Sequence, residues 1–272
     1  MHKIAGVLGN THLIILFLGM ISMSIVGTGR LAKQLFFLFK DRTDVQLQFI
    51  LGRSIEQLQA FEGVPSSSDF SKNITSDIVV LAVSDHAIQS VSDQLNCPNS
   101  LVCHVSGSAP MSQLSAHKEH GVFYPLQTFG ENSQIDFKHI PLLLEANTTK
   151  SMSALENLAL LISDRVQAMD SQKRRELHLA AIWVNNFTNY LAGAAQDFCQ
   201  SKTIDFSLLH PLLKQTVENI IQIGPSKAQT GPARRGDQQT VQAHLALLEN
   251  FHDKNIYDTL SKAITKKYAH EL

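Results

Sequence analysis

Two stretches of this 272-residue chain hold residues whose type and spacing could do chemistry. The first is Gly27-Thr28-Gly29-Arg30-Leu31-Ala32, a G-x-G-x-x-A run directly behind the β-branched Ile25-Val26. Gly27 permits a tight turn, Gly29 lets backbone approach a phosphate, and Ala32 lets the next helix pack close. A helix opening at Thr28 to Ala32 offers unpaired N–H groups and a positive dipole end. That is the chemistry of holding a dinucleotide pyrophosphate. The second stretch is Leu177 to Leu191, apolar at most positions, with His178, Asn185 and Asn189 as exceptions. Counted along an α-helix, those three fall close to two and three turns apart and share a face, which Arg174 extends. A buried amide or imidazole costs about 1–3 kcal/mol if unpaired, so the row is either a hydrogen-bond network or the wall of a polar cavity. His178 is the member able to deliver a proton near neutral pH, with Asn185 and Asn189 to orient a substrate.

The elements needed to position these groups follow from the hydropathy pattern. A helix with apolar Leu31, Leu35, Leu38 and Phe39 follows the glycines, and Val45 to Leu51 alternates as a strand ending in Gly52-Arg53-Ser54. An Asp or Glu at that strand end would bond a ribose 2′-hydroxyl, whereas Arg53 and Ser54 suit a 2′-phosphate. NADP is therefore favoured, with NAD as the second choice; the alternative is that Arg53 merely opens a solvated helix from Ile55 to Phe61. Gly63-Val64-Pro65 and its serines form a loop. Asp77 to Val83 is a continuous apolar run, the mark of a strand buried on both faces. Ligands sit beyond the carboxyl ends of such strands, so Val83, Ser84 and Asp85 border the nicotinamide half of the coenzyme. The strand Leu101 to Val105 runs into Ser106, Gly107 and Ser108, which either hold a substrate carboxylate or simply turn the chain. Gly121 to Phe129 breaks at Pro125 and carries Gln127 and Thr128 past its end. Strands at Ile140 to Ala146 and Arg165 to Met169, around a helix from Ser151 to Ser163, close the sheet.

Beyond Asp170 the pattern turns all-helical. Asp170 or Ser171 caps a long helix to about Cys199, buried at the centre because it is apolar nearly all round. Helices at about 206–223, 237–251 and 256–268 follow. The polar loop Gly224 to Asp237 brings Thr230 and Arg234 beside Arg235, where an anion could be clamped. The domain plan is an extension over residues 1–21, an α/β dinucleotide domain over 22–169 and an all-α domain over 170–272.

Composition narrows the function classes. With 23 basic against 24 acidic side chains and no basic stripe, nucleic acid is not an expected partner. Cys97, Cys103 and Cys199 are odd in number and scattered, as expected of reduced thiols in the cytoplasm. His117 and His120 read as a solvated loop face, and no metal is expected. The apolar run Leu13 to Ile21 has the length of a signal-peptide core but is too short for a membrane span, and no cleavage site follows. It reads as a non-native extension, with Met23 a natural start, or else as a membrane-apposed tail.

Ser106-Gly107-Ser108, Phe123-Tyr124-Pro125-Leu126-Gln127-Thr128-Phe129, Leu177-His178-Leu179-Ala180-Ala181, Val184-Asn185-Asn186-Phe187-Thr188-Asn189 and Gln229-Thr230-Gly231-Pro232-Ala233-Arg234 together resemble the bacterial Rossmann-like and DUF2520 domain proteins. That family is similar in architecture to pyrroline-5-carboxylate reductase, ketopantoate reductase and the β-hydroxyacid dehydrogenases. The resemblance implies a doubly wound Rossmann domain followed by an all-α domain of the 6-phosphogluconate-dehydrogenase C-terminal type. It also implies a homodimer and an NADP-dependent oxidoreductase of unassigned substrate, and the reading taken from the whole sequence is reduction of a small carbonyl or imine. The Lys that precedes an Asn by four residues in two of those enzyme groups is missing here: Ala181 stands before Asn185, Ile182 before Asn186, and Asn185 before Asn189. The proton donor is then His178, in a pocket with Gln127, Asn185, Asn189 and Thr230. The other class of function open to such a chain is a dinucleotide-binding sensor or scaffold without turnover, dimerising through its helices.

Overall fold

Parallel pairing of short buried strands organises the first half of the chain. The computed structural model describes residues 19–130 and 135–271, so the part of the N-terminal extension before Gly19 lies outside the described residues. Eight strands form one sheet: β1 (Ile21–Val26), β2 (Val45–Leu51), β3 (Ser66–Ser67), β4 (Ile78–Leu81), β5 (Leu101–His104), β6 (Glu119–Pro125), β7 (Leu142–Ala146) and β8 (Val166–Ala168). Their spatial order is β3-β2-β1-β4-β5-β6-β7-β8, and only β6 and β7 pair antiparallel. Up to β6 this is the doubly wound Rossmann order, whose switch point lies between β1 and β4.

Side-chain alternation sends the buried residues of β1, β4 and β5 to opposite faces of the sheet. Met23, Ile25, Val80 and Cys103 join Leu35, Phe36 and Phe39 of α1 (Arg30–Phe39) and Leu155 and Leu158 of α4 (Thr149–Leu160) on one face. Val26, Val79, Leu81 and Val102 join Ile88 and Val91 of α3 (Ile88–Ser92) on the other. Ser24 is the polar exception inside β1, and it is satisfied by the Ser76 hydroxyl at 2.8 Å. The one-turn helix α2 (Ile55–Leu58) is capped by Ser54, which accepts from the Gln57 N–H.

From residue 171 the structure is helical: α5 (Ser171–Ile182), α6 (Thr188–Ser201), α7 (His210–Ile223), α8 (Pro225–Ala228), α9 (Gln238–Leu247) and α10 (Lys254–Tyr268). Asp170 is the cap of α5, accepting from the Lys173 N–H at 2.8 Å. Asp205 and Asp237 cap the turns that open the next segments. Among the described residues no helix is long and apolar enough to cross a membrane.

The chain divides into two compact units, residues 1–181 and 182–272. The division falls inside the long helix rather than at 169/170, because the first turns of α5 are tied to the sheet. Ser171 Oγ accepts from the Met111 N–H and donates to Glu145, while Arg174 pairs with Glu145 and donates to the Ala109 carbonyl at 2.6 Å.

Several expectations are corrected. The long helix is not continuous, since a π turn occupies Trp183–Phe187. A π turn spends more residues per turn than an α-helix, so the count that put His178, Asn185 and Asn189 on one face does not carry across it. Nor is that stretch buried: Trp183 is 62% and Val184 75% exposed, because apolar character marks a need for cover that the other described residues do not meet. The serine loop supplies the edge strand β3, and the loop after Gly224 contains α8. His117 is half-buried rather than fully solvated, its Nε2 lying 2.9 Å from Ser92 Oγ, and His120 belongs to β6.

Candidate coenzyme and proton-transfer site

Because β1, β2, β4, β5 and β6 run parallel, their carboxyl ends share one edge of the sheet. Gly27 follows β1 with φ +127°, a left-handed conformation that favours glycine, and a Cβ there would run into the Ala82 carbonyl. Gly29 is different. A Cβ on it would meet no atom within 4 Å, so the space above it is open. It is the N-cap of α1, without a side-chain capping bond and with no acidic residue in the first turn. The N–H groups at the start of α1, from Arg30 through Leu31 to Ala32, are thus left for an incoming anion. Ala32 is fully buried and brings the helix close to the sheet.

A cleft of ≈ 570 Å³ opens there, lined by Gly27, Thr28, Gly29, Arg53, Ser54, Val83 and Ser84 among others. The Thr28 hydroxyl donates to Gln57 Oε1 at 2.5 Å, bracing the glycine turn against α2. Gly52 is obligatory for a reason its sequence context hides: a Cβ would collide with the Thr28 methyl and with Leu58. Arg53 is exposed and pairs with no described residue, and the Ser54 hydroxyl, accepting from Gln57, keeps its own proton to donate. The open backbone over Gly29, the uncapped helix start and the unengaged Arg53 with Ser54 fit a pyrophosphate and a 2′-phosphate.

Further along the edge, the β5 loop is held from several sides. Ser106 is buried and its Oγ accepts from the N–H groups of Ser108 and Ala109 at 3.1 and 2.9 Å, so it makes the turn. Ser108 donates its hydroxyl to Asp85, linking the ends of β4 and β5. Gly107 lies against His178 Nδ1 and the Tyr124 phenol so closely that a Cβ would fall 2.5 Å from the former. Tyr124 and His178 are paired, Oη to Nδ1, at 3.0 Å. Burial is the first cause of a raised Tyr124 pKa, with Arg174 opposing and Asp85 reinforcing it. Tyr124 therefore stays protonated. It donates to Nδ1 when His178 is neutral and accepts from it when His178 is charged, so Nε2 is the atom left to face a substrate.

Tyr124 carries no role in the sequence reading, although one signal was there: a polar aromatic at the carboxyl end of a strand, just before its break at Pro125. Beneath the loop, His104 is fully buried; desolvation first, then the charge of Arg174, lowers its pKa to about 4. It is neutral, and its Nδ1 accepts from the Ser106 N–H at 3.2 Å. Burial pushes the Cys103 thiol up to about 12, which makes it inert. Among the described residues no three His, Cys, Asp or Glu side chains gather as a metal site.

Of the remaining expected residues, two follow β6 and four belong to the second unit. Gln127 and Thr128 are exposed past β6, where Gln127 Oε1 accepts from the Thr128 N–H at 2.8 Å. Asn185, Asn189 and Thr230 belong to the second unit and are exposed. Arg234, also there, lies 4.3 Å over the Tyr268 ring and donates to the Ser226 carbonyl at 3.2 Å. The second unit has its own cavity of ≈ 560 Å³, lined largely by apolar groups such as Leu191, Phe198, Leu248 and Ile256.

Residues 140–264 match the family model described as a domain of unknown function, DUF2520. No curated protein matches. Among solved structures the chain is similar to BF3122 of Bacteroides fragilis, named as an inferred NADP oxidoreductase: 29% identity, 90% of this chain, 98% of that one, TM-score 0.81. It is also similar to TM1727 of Thermotoga maritima, at 24% identity, 90% and 98% coverage and TM-score 0.74. A reductive aminase of Aspergillus terreus, solved with NADPH and ethyl levulinate, shares the fold at 13% identity, 92% and 94% coverage and TM-score 0.62. The chain thus joins a DUF2520 region to a Rossmann-type domain.

Proposed function

We propose that this DUF2520-bearing Rossmann-type protein is an NADP-dependent oxidoreductase that reduces a small carbonyl or imine. The observation that carries the reading is the continuity of one sheet edge, from the phosphate cradle at Gly27 and Gly29 to the Tyr124–His178 pair at Gly107. The likeness to BF3122 supports the same class. The coenzyme, when bound, supplies hydride to the substrate carbon. The protein must supply the rest. Gly29 and the α1 start hold the pyrophosphate, and Arg53 with Ser54 takes the 2′-phosphate in preference to a bare ribose. Tyr124 fixes the ring of His178, and Nε2 delivers a proton to the oxygen or nitrogen of the reduced substrate.

We also infer a homodimer in the cytosol. No residue of α7 is buried, and Ile221 is 78% exposed on it. A helix of that length is marginal in water alone, and a second copy would cover it. The three cysteines are free and buried, in keeping with a reducing compartment.

The test has two parts. Calorimetric titration with NADP and NAD should give tighter binding of NADP, and Arg53→Ala should remove about tenfold of that preference. Screening small 2-oxo acids and cyclic imines for loss of nicotinamide absorbance should find turnover that His178→Ala abolishes while coenzyme affinity holds. Absence of heat for either coenzyme would end the proposal.

A further inference from the structure

The charge of the substrate is written in the side chains around His178. Asp85 stands exposed at the end of β4, with Ser108 donating to its Oδ2. Ser108 adjoins Gly107, which touches both His178 and Tyr124. The field of the Asp85 carboxylate reaches that pair, since it contributes to raising Tyr124 after burial, with Arg174 opposing.

Positive charge in the same region is spoken for. Arg174 is fully buried, its charge met by Glu145 and one terminal nitrogen engaged by the Ala109 carbonyl. His104 is neutral. Near the Gly107 loop the Arg174–Glu145 pair sums to zero, and Asp85 forms no ion pair among the described residues.

A substrate carboxylate brought to Gly107 would meet the like charge of Asp85. A protonated imine nitrogen would meet a carboxylate able to accept a charge-assisted hydrogen bond. We propose that Asp85, held in place by Ser108, selects a cationic nitrogen, so that the substrate is a protonated imine and the product an amine rather than a hydroxy acid. This rests on the oxidoreductase reading and names the substrate class of its site.

The experiment uses the full chain saturated with NADPH and titrates it calorimetrically with piperidine, protonated at neutral pH, and separately with propionate. Piperidine should bind and propionate should give no heat at the same concentration. Asp85→Asn should weaken piperidine by about tenfold, while Asp85→Glu, which keeps the charge, should retain binding. Propionate binding as well as piperidine, a silent piperidine titration, or an unchanged affinity in Asp85→Asn overturns the inference and leaves the oxidoreductase reading standing. No heat with NADPH itself overturns both.

Discussion

Placing a methyl group on Gly107 measures how tightly the end of β5 presses on the proton-transfer pair. The added Cβ would stand 2.5 Å from His178 Nδ1 and 2.7 and 2.8 Å from Tyr124 Cζ and Oη, inside any tolerable contact. Neither partner yields readily. Tyr124 is a buried residue of β6, and His178 rides on α5 one turn after Arg174, which is locked to Glu145 and Ala109. Overpacking of this kind costs about 1–3 kcal/mol. The narrower unfolded ensemble of alanine offsets about 0.4–1 kcal/mol. Gly107→Ala should therefore destabilise by about 1–2 kcal/mol and break the Tyr124–His178 hydrogen bond. Gly29→Ala is the internal control: its φ of −74° suits alanine and nothing lies within 4 Å. It should leave stability at or above wild type and weaken NADP, because the methyl occupies the phosphate's path. Urea denaturation followed by circular dichroism reads the first quantity, and calorimetry the second. A wild-type urea midpoint in Gly107→Ala, or wild-type NADP affinity in Gly29→Ala, would refute the geometry.

Three further outcomes are expected. Arg174→Met strands Glu145 and frees the Ala109 carbonyl, and should cost about 3 kcal/mol in urea denaturation; replacing Glu145 as well should restore part of that. His104 has a folded pKa of about 4 against an ordinary 6.5, with burial the main cause, so the unfolded chain binds a proton between those values that the folded one refuses. Stability from this group is complete above pH 6.5 and falls as pH drops toward 4, by about 3 kcal/mol, and His104→Asn should flatten that slope in denaturation midpoints taken across the window. Ile221→Asp should convert a sedimenting dimer to a monomer without altering the circular dichroism of the sheet, and a dimer that survives the change speaks against α7 as the contact.

The sheet is legible from sequence because each strand declares itself twice, once in its own run of buried residues and again in the turn that ends it. Ile78–Leu81 is apolar at every position since both faces are covered, and the glycine turn at Gly27 needs a conformation other residues resist. The position of Arg53-Ser54 just past β2 is likewise readable, since Gly52 ends the strand and Ser54 caps the next helix. What periodicity does not encode is contact between distant segments. Tyr124 and His178 lie 54 residues apart and meet only because β6 pairs with β5 while α5 is pinned by Arg174. Ser106 illustrates the converse: a hydroxyl at a strand end looks available for a ligand until its oxygen is found accepting two backbone N–H groups. Edge strand β3, two residues long and made of serine, carries no hydrophobic signal at all.

The long helix shows the same limit on a larger scale. An apolar run from Leu177 to Leu191 states that a face must be covered, but hydropathy does not say which chain does it. In the first unit the cover comes from the sheet: Leu177 packs with Val122, Tyr124 and Leu143. From the end of the π turn the same character continues on Phe187, Tyr190 and Leu191, all exposed, while α7 presents Leu212, Val217 and Ile221 to solvent as well. The proposed second copy would bring an apolar surface of matching kind to these residues.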